Sequence, residues 1–118
     1  MSKTFLIVED ESIIAEDLRH TVTKLGYTYL GRAATGLEAI DKALALNPDI
    51  ILMDVRLRGR MTGYEAAESI LKEKPAAIVY LSAFSPIAPL APGCAFVAKP
   101  YSLAQLRDGI ENAVRQAA

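Results

Sequence analysis

The chain contains one cysteine, one histidine and no tryptophan, and each scarcity closes off a class of function. With Cys94 alone no internal disulfide can form, so the fold stands without cross-links and the composition fits a reducing compartment. Cys94 itself reads as a small buried hydrophobe beside a strand. His20 has no second histidine or cysteine beside it to share a metal, and it reads as a solvated surface residue. Neither sign of charge is in excess. Thirteen Lys and Arg stand against 14 Asp and Glu, a net charge of -1, which gives no basis for a nucleic-acid or anionic-membrane surface. No apolar run approaches the ~20 residues of a membrane span, and the start lacks the charged and apolar segments of a secretory leader. The expectation is a soluble, cytoplasmic protein. Low-complexity segments are also missing, and with 52% hydrophobic residues disorder is expected only at the last few positions. The 118 residues suffice for one domain, 1–118, with a real core.

What is present is a set of short apolar runs that end in polar groups. Ile50-Ile51-Leu52-Met53 is too short for a globular helix and reads as a strand buried on both faces; it ends at Asp54. Thr4 to Val8 is a second such run and leads into Glu9, Asp10 and Glu11. Tyr27 to Ala34 reads as a weaker strand near an edge, interrupted by Gly31 and Arg32. Ala76 to Leu81 leads to Ser82, and Cys94 to Ala98 leads to Lys99-Pro100.

Helical patterns separate these runs. Ser12 to Leu25 is amphipathic, with Ile14, Leu18, Val22 and Leu25 inward and Gly26 as its stop. Thr35 and Glu38 match a capping box for a helix burying Leu37, Ile40, Ala43 and Leu44, which Asn47-Pro48 ends. Gly63 to Lys74 turns Ala66, Ala67, Ile70 and Leu71 inward before Pro75. Ser102 and Gln105 form another capping box, opening a helix that buries Leu103, Leu106, Ile110 and Val114. Strand and helix alternate, which predicts an α/β fold: a doubly wound, flavodoxin-like sheet of five parallel strands in the order 2-1-3-4-5. In such sheets ligands sit beyond the carboxyl ends of the strands. Glu9, Asp10, Asp54, Ser82 and Lys99 all fall there.

Carboxylates ~4 Å apart repel by about 4 kcal/mol at an effective dielectric of ~20, so cations must offset Glu9, Asp10 and Asp54. Lys99 supplies one charge, and the remainder is a hard-oxygen site suited to Mg²⁺. Ser82 adds a hydroxyl donor. A carboxylate nucleophile, a divalent cation, a lysine and a further donor are the parts of a phosphoryl-transfer site.

Glu9-Asp10, Asp54, Ser82-Ala83 and Lys99-Pro100, each at a strand end, together resemble the receiver domain of two-component response regulators, and the resemblance covers the whole chain. It implies that Asp54 takes a phosphoryl group from a phosphohistidine of a sensor histidine kinase or a histidine phosphotransfer protein, or from a small phosphodonor. By the same match Asp10, Asp54 and the backbone carbonyl of Arg56 ligate Mg²⁺, with Glu9 assisting through water. Lys99 pairs with the phosphate, Ser82 and Phe96 act as switch residues, and Lys99-Pro100 is a cis peptide. A receiver is not a turnover enzyme: it accepts and slowly hydrolyses its own aspartyl phosphate, then docks a downstream protein target.

Two stretches depart from the family. Leu57-Arg58-Gly59-Arg60 has arginine where the family usually has proline; it reads as solvated loop, or as a basic element for an acidic partner or the incoming phosphate. Between the last two strands, Pro86, Pro89 and Pro92 fall in a segment too short for the family's fourth helix, which predicts at most one helical turn after Ser85. Ile87 and Leu90 there either form a docking patch or fold back over the core. Alternatives remain open. These include a pseudo-receiver interaction module that is not phosphorylated, and the N-terminal receiver of a longer regulator with a DNA-binding or enzymatic output. A flavin carrier on the same fold conflicts with the acids after the first strand, and a haloacid-dehalogenase-type phosphatase would need aspartate where Arg56 stands.

Overall fold

A computed structural model of the chain describes residues 2–84, 86 and 89–117. Five strands, β1 (Thr4–Val8), β2 (Thr28–Ala33), β3 (Ile50–Asp54), β4 (Ala77–Ser82) and β5 (Cys94–Ala98), alternate with four helices, α1 (Ser12–Lys24), α2 (Gly36–Leu46), α3 (Gly63–Glu73) and α4 (Leu103–Ala117). The strands are all parallel, in the order β2-β1-β3-β4-β5. The predicted flavodoxin-like topology is therefore observed, with the order in which β2 and β5 are the edges.

Alternation along each strand divides the core in two. Phe5, Ile7, Ile50, Leu52, Val79 and Leu81 pack with Ala15, Leu18 and Val22 of α1 and with Leu106, Ile110 and Ala113 of α4. Leu6, Val8, Ile51, Met53, Ile78 and Tyr80 face the other way, onto Ala39 and Ala43 of α2 and Ala66, Ala67 and Ile70 of α3. Because the helices on both sides shield β3, its first four residues are wholly buried, which is why they read as an uninterrupted apolar run.

Three inward assignments fail. Ile14, Leu37 and Leu103 are exposed by 39%, 67% and 56%. The stripe that touches the sheet is instead built from Ala15 in α1, Ala39 and Ala43 in α2, and Gly109 in α4. A Cβ on Gly109 would stand 2.4 Å from Val97 Cγ2. Small residues let these helices sit close to the sheet, so the larger apolar side chains of the first turns project past its edge.

Cap chemistry agrees at Ser102, whose hydroxyl accepts from the Gln105 N–H while the Gln105 amide oxygen accepts from the Ser102 N–H. Thr35 accepts from the Glu38 N–H, but the Glu38 carboxylate takes the Ala34 N–H rather than that of Thr35, so the box there is displaced by one residue. A complete reciprocal box, Thr62 with Glu65, opens α3.

No helix occurs among the described residues between β4 and β5, as the prolines require. Leu90 folds back against the Tyr80 and Cys94 side of the core; Ser85 and Ile87, to which a helix start and a docking role were assigned, lie outside the described residues. Beside this segment a groove of about 680 Å³ is lined by Tyr64, Leu71, Tyr80, Leu90 and Cys94. It lies on the α3 side of the sheet rather than at the acidic strand ends. No helix among the described residues is long and apolar enough to cross a membrane.

Candidate functional site

Parallel register brings the polar strand ends level. Met53 pairs with Val8, Asp54 with Leu81, and Ser82 with Ala98. The hydrogen bonding runs one residue past the strands, with the Glu9 N–H donating to the Ala33 carbonyl at 2.9 Å and the Lys99 N–H to the Ser82 carbonyl at 2.8 Å. Glu9, Asp54, Ser82 and Lys99 are thus fixed by the same ladder that builds the core.

Carboxylate oxygens of Glu9, Asp10 and Asp54 lie within 4.8 Å of one another. Lys99 Nζ stands 3.7 Å from Asp54 Oδ1 and 3.9 Å from Glu9 Oε1. The Arg56 N–H donates to Asp54 Oδ1 at 3.3 Å and limits rotation of that carboxylate. Glu9 is 3% exposed, and burial pushes its carboxyl up to about 8, helped by a hydrogen bond with Asp10 and by the Asp54 charge. The Glu11 N–H, donating to Glu9 Oε2 at 3.3 Å, opposes this. Lys99, beyond hydrogen-bond distance, does not reverse it. Burial and the two neighbouring acids thus favour the protonated form of Glu9 over the ionised one.

Three oxygen ligands so placed, with Asp10 and Asp54 partly open to solvent, could hold a divalent cation, and hard carboxylate donors suit Mg²⁺. Ser82 is buried beside them, its hydroxyl accepting from the Phe84 N–H at 3.2 Å. The Lys99-Pro100 peptide is cis. Phe96 is half-buried on the α3 side of the sheet, away from the acids. Arg56 carries its guanidinium over the Phe84 ring, 4.7 Å from the centroid.

Two cations were not foreseen in their actual roles. Arg32, read as an interruption of a strand, spans the acidic turn from behind. Its Nε donates to the Glu9 carbonyl at 2.9 Å and an Nη to the Asp10 carbonyl at 2.8 Å, while Lys42 Nζ donates to the Arg32 carbonyl. Arg58 Nε lies 3.4 Å from Asp10 Oδ2. The sequence signal for Arg32 was a lone cation in a strand beside one that ends in acids. For Arg58 it was the replaced proline.

The α3 start is also part of the site. The Gly63 N–H donates to the Val55 carbonyl, and a Cβ on Gly63 would lie 2.2 Å from the Asp54 carbonyl oxygen.

Comparison with known proteins finds relatives along most of the chain. Residues 5–111 match the family described as response regulator receiver domain. The transcriptional regulatory protein PdtaR of Mycobacterium tuberculosis is 39% identical over 114 residues, 92% of this chain and 55% of that protein. This chain thus spans about half the length of that relative. The chemotaxis protein CheY of Thermotoga maritima is 39% identical over 84 residues, 70% of this chain and 69% of its own. Among solved structures, the signal receiver domain of a modulated diguanylate cyclase from Desulfovibrio desulfuricans superposes with a TM-score of 0.86 at 30% identity, covering 99% of this chain and 97% of that one.

Proposed function

The chain belongs to the response regulator receiver domain family, and from that premise we propose that residues 1–118 form a phosphoacceptor receiver in which Asp54 is the acceptor. The observation that carries this reading is the meeting of Asp54 with Glu9, Asp10 and Lys99 in one pocket. A carboxylate oxygen of Asp54 attacks the phosphorus of a phosphohistidine, on a sensor histidine kinase or a histidine phosphotransfer protein, or of a small acyl phosphate. The new O–P bond forms as the bond to the imidazole nitrogen or acyl oxygen breaks, and the leaving group keeps that electron pair. Lys99 faces the phosphoryl oxygens and balances their charge. Ser82 turns its hydroxyl from the Phe84 N–H toward the phosphate, and Phe96 follows as the second switch residue. Asp10, Asp54 and the Arg56 carbonyl would hold Mg²⁺ with Glu9 assisting, and the cation would supply charge neutralisation for the transferring group. The aspartyl phosphate is hydrolysed slowly, so the protein is a switch and not a turnover enzyme.

A partner's approach is supported by apolar side chains around the pocket. Ile13, Leu37, Phe84 and Leu103 are exposed by 84%, 67%, 61% and 56%, and each follows the carboxyl end of a strand. Acids and exposed apolar groups at the same end of the sheet suit a histidine phosphodonor protein, and later a downstream protein target.

Incubation with acetyl phosphate and Mg²⁺ followed by intact mass tests the assignment. One added phosphoryl group in the wild type and none in Asp54→Asn is expected; no gain in the wild type, or an equal gain in the variant, would leave a pseudo-receiver that acts by docking alone. The mass of the protein from its native source separates a free-standing receiver from the receiver portion of a longer regulator.

A further inference from the structure

The three carboxylates are not balanced by the same cation. Lys99 lies within 4 Å of Glu9 and Asp54, and Asp10 is met by Arg58 at 3.4 Å. Arg58 reaches it from the β3–α3 loop, where its backbone forms a bridge with Thr35, the cap of α2. Next to it Gly59 adopts φ +93° with nothing within 4 Å of where a Cβ would be, a left-handed turn that glycine takes without strain. The loop is thus held at Thr35 and turns sharply at Gly59, and the largely exposed Arg58 guanidinium meets Asp10.

We propose that Arg58 is an internal competitor for the divalent-cation site: its guanidinium meets Asp10 Oδ2, and that contact weakens when a metal draws on the charge of the same carboxylate. The inference rests on the metal assignment made above, and it adds a residue outside the ligand set that tunes affinity. Asp10 has two calls on its charge, and only one can be met at full strength. Lys99 also faces a proposed metal ligand, Asp54, but at 3.7 Å and with a second contact to Glu9 at 3.9 Å it need not leave the pocket. Arg32 need not move either, because it binds the carbonyls of Glu9 and Asp10 and not their carboxylates. Arg58 is the cation whose contact the metal weakens, so metal binding is coupled to the loop that contains it and, through the Thr35 bridge, to the start of α2.

The Arg58 side chain is 77% exposed, which makes the competing pair weak and sensitive to salt. Its removal should therefore raise Mg²⁺ affinity by roughly two- to fivefold at low ionic strength, with the gain shrinking as salt is added. Arg60, on the same loop and exposed, has no ion-pair partner among the described residues, so Arg60→Ala controls for the loss of a nearby positive charge.

The test is a Mg²⁺ titration of wild type, Arg58→Ala, Arg58→Lys and Arg60→Ala by calorimetry at low and high salt, with amide shifts of Thr35 and Gly59 followed by NMR. Tighter binding in Arg58→Ala, near wild-type binding in Arg60→Ala, and Thr35 and Gly59 shifts that appear on titrating the wild type and shrink in Arg58→Ala support the proposal. Equal affinity in wild type and Arg58→Ala, weaker binding in Arg58→Ala, or the same gain from Arg60→Ala overturns it while leaving the metal site in place. Failure of the wild type and Arg58→Ala alike to bind Mg²⁺ overturns both the proposal and the metal assignment beneath it.

Discussion

Replacing Gly63 by alanine should destabilise the protein, although the same change at an unconstrained position usually stabilises by ~0.4–1 kcal/mol through the unfolded chain. Gly63 is the first residue of α3, and its φ is not positive, so the backbone itself accepts alanine. The obstacle is the neighbour. A Cβ would stand 2.2 Å from the Asp54 carbonyl oxygen, with Met53 Cγ at 2.9 Å and Val55 Cα at 3.0 Å. Two of the three are main-chain atoms around the central strand and cannot swing aside, so α3 must shift by most of an ångström or the end of β3 must yield. Overpacking of this kind costs ~1–3 kcal/mol. Since backbone must move, a net loss of about 2 kcal/mol is expected. For 118 residues the entropy of unfolding is about 0.25 kcal/mol/K, which translates to a Tm lower by about 8 °C. Gly36 is the internal control. It holds the same first-turn position in α2, and its Cβ would meet Met61 Cβ, Cγ and Sδ at 2.8–2.9 Å, a side chain flexible enough to move. Urea denaturation of Gly63→Ala and Gly36→Ala, with Mg²⁺ titration of each, measures the contrast. A Gly63→Ala protein as stable as wild type, or no less stable than Gly36→Ala, would refute the claim that α3 is pressed against the strand end carrying Asp54.

Mg²⁺ at 100 times its dissociation constant should add about 2.7 kcal/mol to stability, and thermal melts of Asp10→Asn should show most of that gain lost. In chelator the folded state binds the Glu9 proton with a pKa of about 8 against an ordinary 4.5. Its contribution is therefore complete below about pH 4.5 and is lost as pH rises through 8. Urea midpoints between pH 5 and 8.5 should fall more steeply in the wild type than in Glu9→Gln; parallel profiles would contradict the buried proton. Arg32→Met should cost about 2 kcal/mol by stranding two half-buried carbonyls and should broaden or shift the amide signals of Glu9 and Asp10, whereas an unchanged spectrum would mean that the acidic turn holds its shape without the guanidinium.

Much of this architecture was legible because the apolar runs and the polar residues that end them carry independent information. Ile50 to Met53 could be assigned to a strand from length alone, and parallel pairing then levels Asp54 with Glu9, Ser82 and Lys99 without any knowledge of side-chain conformations. Helix faces were less legible. Ile14, Leu37 and Leu103 scored as core by hydrophobicity, yet the surface against the sheet is set by how closely backbones approach, a criterion that favours Ala39, Ala43 and Gly109. The Thr62 and Glu65 box carries the same spacing as the one at Ser102 and Gln105, and it was there to be read. The partners of Arg32 and Arg58 were not: a cation's partner depends on the path of its side chain across neighbouring strands and loops, which local sequence does not encode.

The segment joining β4 to β5 has a mechanical consequence. A helix is a rod that passes on a push or a twist from one end to the other, and none is present among the described residues of this connection. A rearrangement of Ser82 of the kind proposed above would thus have no helical lever along the described part of this connection, and its effect would leave close to where it arises. The Phe84 ring, stacked under Arg56 and bonded through its own N–H to the serine hydroxyl, is the nearest surface on which a listener could feel the change.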